Sequence, residues 1–183
     1  MSAMFEKIAI LGLGLIGSSI CHGVKAQGLA KVVVGHAKSA ETRKVALEIG
    51  LVSEVFENPA DAVKGADLVI LCAPIGVCGA LAAATGKHLR EGAIFTDVGL
   101  VKGAMIRDRA PHLPSNVHLI SGHLLAGTEQ SGSRSGFAAV FHQRWHLLTP
   151  VAGTDTADIE TLTTVWEAWG SNEAVQTADN HGM

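Results

Sequence analysis

Short apolar runs alternate with amphipathic stretches along most of the chain. The first run, Lys7–Leu11, is followed by a helical pattern over Ile16–Ala26 that Gly28 closes. Lys31–Gly35 is a β-branched strand, and Ala40–Ile49 a helix with Gly50 in the usual stopping position. Glu54–Phe56 reads as a short strand; Asn58-Pro59 then opens a short helix, since proline suits a first helical turn. Leu68–Ala73 is apolar on both faces, as a central parallel strand requires. An alanine-rich helix is predicted over Val77–Lys87, a strand over Ala93–Asp97 and a helix over Val101–Arg109. Later strands are predicted at Val117–Ser121 and Trp145–Thr149, and an edge strand at Asn172–Thr177. Between them Thr156–Trp169 is amphipathic, with Ile159, Leu162, Val165, Trp166 and Trp169 at helical spacing, which assigns the tryptophan pair to the core. This alternation predicts an α/β domain: a doubly wound, mainly parallel sheet with helices on both faces. Right-handed crossovers place a ligand at the carboxyl ends of the strands, so Ala73-Pro74 and Asp97-Val98-Gly99 are expected to line a cleft.

Composition narrows the class. With 183 residues, 48% hydrophobic and 17% charged, the chain can bury a sizeable core and is not disordered. A net charge of −3 argues against nucleic acid or an anionic membrane as the main partner. No apolar run approaches the ~20 residues of a membrane span. The N-terminal residues lack a basic segment followed by an apolar core, so no secretory signal is read there. Three cysteines without a C-x-x-C pair, Cys21, Cys72 and Cys78, fit reduced, buried thiols in a cytoplasmic protein. His142 and His146 stand four apart but have no third ligand in view, so no metal site is expected; His112 and His118 read as surface loop.

The densest chemical signal is Gly12-Leu13-Gly14-Leu15-Ile16-Gly17, a G-x-G-x-x-G turn after a strand and before a helix. Gly12 permits the tight turn, Gly14 lets a pyrophosphate approach the backbone, and Gly17 lets the helix pack on the strand. The helix then points free N–H groups at the phosphates. A Rossmann-like dinucleotide site follows, with Gly12, Gly14, Leu15, Ile16, Gly17, Ala73 and Pro74 as candidate cofactor residues; a phosphate-free packing turn is the alternative. NAD sites usually carry an acid at the end of the second strand for the ribose 2′-hydroxyl. Here that region is Val34-Gly35-His36-Ala37-Lys38-Ser39, without an acid. Lys38 and His36 could meet a 2′-phosphate, with Ser39 or Arg43 assisting, which tilts the reading toward NADP over NAD.

Ser121 to Gly132 is polar, glycine-rich and long for a simple connection, and is expected to be a functional loop after its strand. His123 in it can accept a proton from a substrate hydroxyl while a hydride leaves the same carbon. Thr128 and Glu129 could position a polar substrate.

Taken together, the glycine turn, Asp97-Val98-Gly99 with Val101-Lys102, Gly122-His123 with Ala126-Gly127-Thr128-Glu129, Ser135-Gly136-Phe137, and Arg144-Trp145 through Thr149-Pro150 resemble the nucleotide-binding domain of the prephenate/arogenate (cyclohexadienyl) dehydrogenase family. The resemblance covers nearly the whole chain, and the His–Ala-Gly-Thr-Glu segment is its most specific part. It implies oxidative decarboxylation of prephenate or arogenate in tyrosine biosynthesis, by hydride transfer to NAD(P). It further implies that His123 handles the ring hydroxyl and that Thr128, Glu129, Gln130 and Ser131 line the substrate pocket. The family continues into a helical dimerisation domain. Residues 1–177 are therefore expected to form the NAD(P)-binding domain and 178–183 a stub toward that helical domain, giving a homodimer in full-length members.

Three positions depart from the family pattern: Leu100 replaces a serine after Asp-Val-Gly, Leu124 a proline after the histidine, and Ser133 a proline after Ser-Gly. Loss of a hydrogen bond at the reacting centre can cost about 10²-fold or more. The chain alone is thus expected to bind cofactor but turn over poorly. A non-catalytic NAD(P)-binding module is the second reading, and an S-adenosylmethionine site a third.

Overall fold

A computed structural model describes residues 2–99, 102–125 and 132–175. Eight strands form one sheet: β1 (Phe5–Leu11), β2 (Ala30–His36), β3 (Glu54–Phe56), β4 (Leu68–Leu71), β5 (Ile94–Asp97), β6 (His118–Leu124), β7 (Trp145–Pro150) and β8 (Asn172–Val175). Their order is β3-β2-β1-β4-β5-β6-β7-β8. The first six run parallel; β7 is antiparallel to β6, and β8 parallel to β7. Among the described residues six α-helices connect them: α1 (Leu15–Gln27), α2 (Ala40–Glu48), α3 (Pro59–Val63), α4 (Ile75–Thr85), α5 (Lys102–Arg109) and α6 (Thr156–Ala168). This is the doubly wound, Rossmann-like arrangement that the apolar pattern predicts.

The strand period of two divides the core. Ile8 and Ile10 of β1 and Leu68 and Ile70 of β4 face one side, where Ile20 and Val24 of α1, Ala46 of α2 and Trp166 of α6 cover them. Ala9, Leu11, Val69 and Leu71 face the other, under Ala62 and Val63 of α3 and Cys78 and Ala82 of α4. Each fully buried Val, Leu or Ile side chain among them contributes about 1.5–3 kcal/mol. Local signals set the helix ends. Ser39, Asn58 and Asp155 cap α2, α3 and α6 by accepting backbone N–H groups, and Gly28 closes α1 in the left-handed region at φ 62°. Trp166 and Trp169 lie in the core, edge to face at 4.8 Å.

Three expectations are corrected. The sixth strand does not stop at Ser121: β6 runs to Leu124, so His123 stands on a strand rather than in the loop after it. The cause is β7, whose antiparallel ladder pairs Ser121 with Thr149, Gly122 with Leu148 and His123 with Leu147. Such a ladder holds a glycine and a histidine that no local apolar run would place in a strand. His118 is not loop but the first residue of β6, and it pairs through Nδ1 with Asp158 of α6. Cys72 lies one position past the end of β4 and is only partly buried, unlike Cys21 and Cys78.

Candidate functional site

The chain leaves β1 for β2 on one side and later crosses to β4 on the other, so β1 and β4 flank the switch point of the sheet. A cavity of about 800 Å³ opens there. Gly12, Leu13 and Gly14 line it from β1, His36, Ala37 and Lys38 from β2, and Cys72, Ala73 and Pro74 from β4. Ser39, Thr42, Val77, Leu81 and Gly132 also line it, and among the described residues the wall contains no carboxylate.

The glycine turn has the geometry that its spacing implies. Gly12 sits at φ 105°, and a Cβ there would lie 2.8 Å from the Cys72 carbonyl carbon and oxygen. The turn therefore presses directly on the end of β4. A Cβ on Gly17 would collide with the Gly12 carbonyl oxygen, so α1 lies against the turn. At Gly14 a Cβ would meet nothing within 4 Å. Gly14 is also the N-cap of α1 and offers no side-chain cap, and the first turn of α1 carries no acid. The first N–H groups of a helix have no partner within the helix, a terminus of this kind can hold an anion, and the open space at Gly14 suits a pyrophosphate. The residues present thus fit a dinucleotide.

Of the sequence-predicted cofactor residues, Gly12, Gly14, His36, Lys38, Ala73 and Pro74 meet at this cavity. Leu15 and Ile16 form the first turn of α1 outside its wall, and Gly17 acts through packing. The proposed cation cluster for a 2′-phosphate is corrected. The Arg43 guanidinium donates to the carbonyls of Ala37 (2.9 Å) and Lys38 (2.7 Å) and lies 3.4 Å from Glu57. It braces the β2–α2 turn from behind. His36 Nδ1 is 3.1 Å from the Phe56 carbonyl of β3. Burial pushes its imidazole below the ordinary value; the Phe56 carbonyl opposes this and Arg43 reinforces it. A neutral His36 adds no charge at pH 7. Lys38 remains, exposed on the rim.

A second cluster lies along the same sheet edge, at the ends of β5 and β6. Asp97 and Arg109, both fully buried, pair at 2.9 Å. Asp97 also accepts from Ser121 Oγ (2.7 Å) and from the backbone N–H groups of Gly99 (2.7 Å) and Gly122 (3.3 Å). Ser121 in turn accepts from Arg109 at 3.2 Å. One carboxylate therefore holds the β5 turn and the strand residues just before His123. Burial foremost, then neighbouring Cys21 and Asp97, pushes the Cys72 thiol well above its ordinary value, so it is no thiolate nucleophile at neutral pH.

His123 is half-buried near the carboxyl end of β6, on the strand segment that extends past the β5–β6 pairing. It is not part of the cavity wall; two strand spacings, about 10 Å, separate β6 from β4. Thr128, Glu129, Gln130 and Ser131, like Leu100, lie outside the described residues. Arg109 and Thr42 were not anticipated, and Ser121 and Gly132 only as the two ends of the expected functional loop. Of the first two only Thr42 carried a signal, one turn into the helix that Ser39 starts. Among the described residues no His, Cys, Asp and Glu group forms a metal site, and no helix is long and apolar enough to cross a membrane.

Residues 20–175 match the family described as prephenate dehydrogenase, nucleotide-binding domain. That match begins after the glycine turn, so the turn is a separate observation. The cyclohexadienyl dehydrogenase of Zymomonas mobilis is 37% identical over 178 residues, which are 97% of this chain and 60% of that protein. The prephenate dehydrogenase of Bacillus subtilis is 27% identical, across 99% of this chain and 49% of its own. Among solved structures, Aquifex aeolicus prephenate dehydrogenase in complex with hydroxyphenyl propionate and NAD+ superposes with a TM-score of 0.88 at 26% identity, over 99% of this chain and 62% of that one. Synechocystis arogenate dehydrogenase gives 0.84 at 29% identity, over 96% and 61%. The chain thus spans about half to three fifths of the length of these relatives. The turn, the cavity at the switch point and these matches agree: the chain belongs to the prephenate dehydrogenase family and carries its nucleotide-binding domain.

Proposed function

We propose that this chain is the cofactor-binding part of a cytoplasmic, NAD(P)-dependent dehydrogenase acting on a cyclohexadienyl substrate, prephenate or arogenate. The observation that carries the reading is one sheet edge holding both a cavity at Gly12–Gly14, without a carboxylate among its described lining residues, and, two strands beyond β4, His123. In this reading Gly14 and the uncapped start of α1 hold the pyrophosphate, and Ala73 and Pro74 wall the path toward β5 and β6. Lys38 and Ser39 flank the ribose next to the adenine, which favours NADP+ over NAD+ through Lys38 alone. NAD(P)+ supplies the hydride acceptor when bound. His123 takes the proton of the ring hydroxyl, and the Asp97–Arg109–Ser121 cluster fixes the strand that carries it. Thr128, Glu129, Gln130 and Ser131 orient the substrate, and the complete protein is a homodimer.

Calorimetry with NAD+, NADP+ and S-adenosylmethionine tests the cofactor half. Binding of either dinucleotide supports it; binding of neither, or of S-adenosylmethionine alone, overturns it. Prephenate- or arogenate-dependent dinucleotide reduction tests the chemistry. Leu100, where the family resemblance expects serine, favours the second reading, a non-catalytic dinucleotide module. Dinucleotide binding without turnover, even when Leu100→Ser is combined with an appended helical domain of the family, decides for that module.

A further inference from the structure

We propose that Ser133 is a positioning residue for the dinucleotide: its hydroxyl sets the orientation of the Leu13–Gly14 peptide that meets the pyrophosphate. The inference rests on the dinucleotide reading above and adds a residue to it from 120 positions along the chain. Ser133 is buried, 5% exposed, and its Oγ donates to the Leu13 carbonyl in the middle of the glycine turn. A trans peptide holds its C=O and N–H antiparallel. Fixing the Leu13 carbonyl toward Ser133 therefore turns the Gly14 N–H the opposite way. Leu13 is held from a second side, because its side chain fills the space beside Gly35 of β2, where a Cβ would lie 2.8 Å from Leu13 Cδ1. Leu13 and Gly14 both line the cavity, so this peptide is part of the wall that a phosphate would meet.

The anchor is itself anchored. The Phe137 N–H donates to Ser19 Oγ of α1 at 3.1 Å, and a Cβ on Gly136 would collide with Ser18 of the same helix. Arg134 reaches Glu48 of α2 at 3.4 Å. Segment 132–137 thus docks on the helix that the glycine turn starts, and Gly132 enters the cavity wall. Proline, which the family resemblance places at position 133, has no hydroxyl to donate, so this contact is a property of this chain.

The test is the binding of the unaltered chain, Ser133→Ala and Ser133→Thr to two ligands. One is NAD+ or NADP+, whichever the unaltered chain binds more tightly, measured by calorimetry. The other is adenosine, which lacks phosphate, measured by ligand-observed NMR. Ser133→Ala is expected to weaken the dinucleotide about five- to tenfold, the range for one lost hydrogen bond, and adenosine less than about twofold. Ser133→Thr, which keeps a hydroxyl, is expected to restore most of the dinucleotide affinity. Equal dinucleotide affinity in all three proteins, or a parallel loss for adenosine, overturns the proposal. Failure of the unaltered chain to bind any dinucleotide instead overturns the reading beneath it.

Discussion

Asp97 and Arg109 form a fully buried ion pair at the carboxyl end of β5, with Nη2 2.9 Å from Oδ1. The carboxylate also takes hydrogen bonds from Ser121 and from the backbone at Gly99 and Gly122, so its charge is compensated from β5, α5 and β6 together. Breaking such a pair from one side leaves a buried charge. Arg109→Met is expected to destabilise the fold by about 3–5 kcal/mol in urea denaturation, and Arg109→Met combined with Asp97→Asn by less than the single change. A single variant within 1 kcal/mol of the unaltered protein, on the order of ordinary surface substitutions, would show that the cluster is not compensating charge.

Gly122 is wedged between the same aspartate and His146. A Cβ there would lie 2.5 Å from the Asp97 carbonyl oxygen and 2.7 Å from His146 Cε1 and Nε2. His146 cannot retreat, because its ring stacks on Trp166 at 3.7 Å. Gly122→Ala is therefore expected to cost about 1–3 kcal/mol as overpacking and to shift the neighbouring His123. Thermal unfolding, and the imidazole NMR signals of His123 and His146, report both effects; an unchanged spectrum and melting curve contradict the wedge.

Glycines of the first turn should separate by role. Gly14→Ala meets no neighbouring atom, so the melting temperature is expected to hold while dinucleotide affinity falls at least tenfold, by intrusion on the phosphate site. Gly17→Ala meets the Gly12 carbonyl and is expected to lower the melting temperature as well. If Gly14→Ala binds dinucleotide normally, the turn does not contact the phosphates.

In the proposed reading cofactor choice turns on Lys38. Among the described residues it is the cation left on the cavity rim once Arg43 is committed to the Ala37 and Lys38 carbonyls and His36 is neutral. Lys38→Ala is expected to weaken NADP+ about tenfold and NAD+ less than twofold, with the difference shrinking at high salt. Equal effects on the two dinucleotides, by calorimetry, assign the 2′-phosphate contact elsewhere.

Buried thiols give an alkaline limit. Burial pushes the Cys21 thiol up to about 12, far above the ~8.5 of an exposed cysteine. Below the unfolded value the thiol is neutral in both states and its contribution to stability is fully present. Above it the unfolded chain loses the proton first, so stability falls as pH rises from about 8.5 toward about 12, by up to ~1.4 kcal/mol per unit. Cys21→Ala is expected to flatten that slope in denaturation series; an identical slope would assign the alkaline loss to other groups.

Much of this molecule is legible from neighbouring residues. The G-x-G-x-x-G turn depends on six consecutive positions, and Gly12 and Gly17 pack as their spacing implies while Gly14 faces open space. Ser39, Asn58, Asp155 and Gly28 mark helix ends because a cap acts within one turn. Runs such as Leu68–Leu71 announce a central strand because both faces must be apolar. The remainder depends on groups far apart in the chain. β6 gains Gly122–Leu124 only by pairing with Leu148–His146, more than twenty residues later. His36 is neutral because burial, reinforced by Arg43, outweighs the opposing Phe56 carbonyl, and Arg43 is withdrawn from the cavity by two carbonyls that become acceptors once the turn has folded. Arg109, a charged residue at the end of a helix, is sealed against Asp97 by contacts that its neighbours in sequence do not specify. Ser133 meets Leu13 because the fold brings a segment 120 residues away beside the glycine turn. Steric spacing and capping act over a few bonds and are written locally, whereas burial, charge compensation and strand pairing depend on which distant groups the folded chain brings into contact.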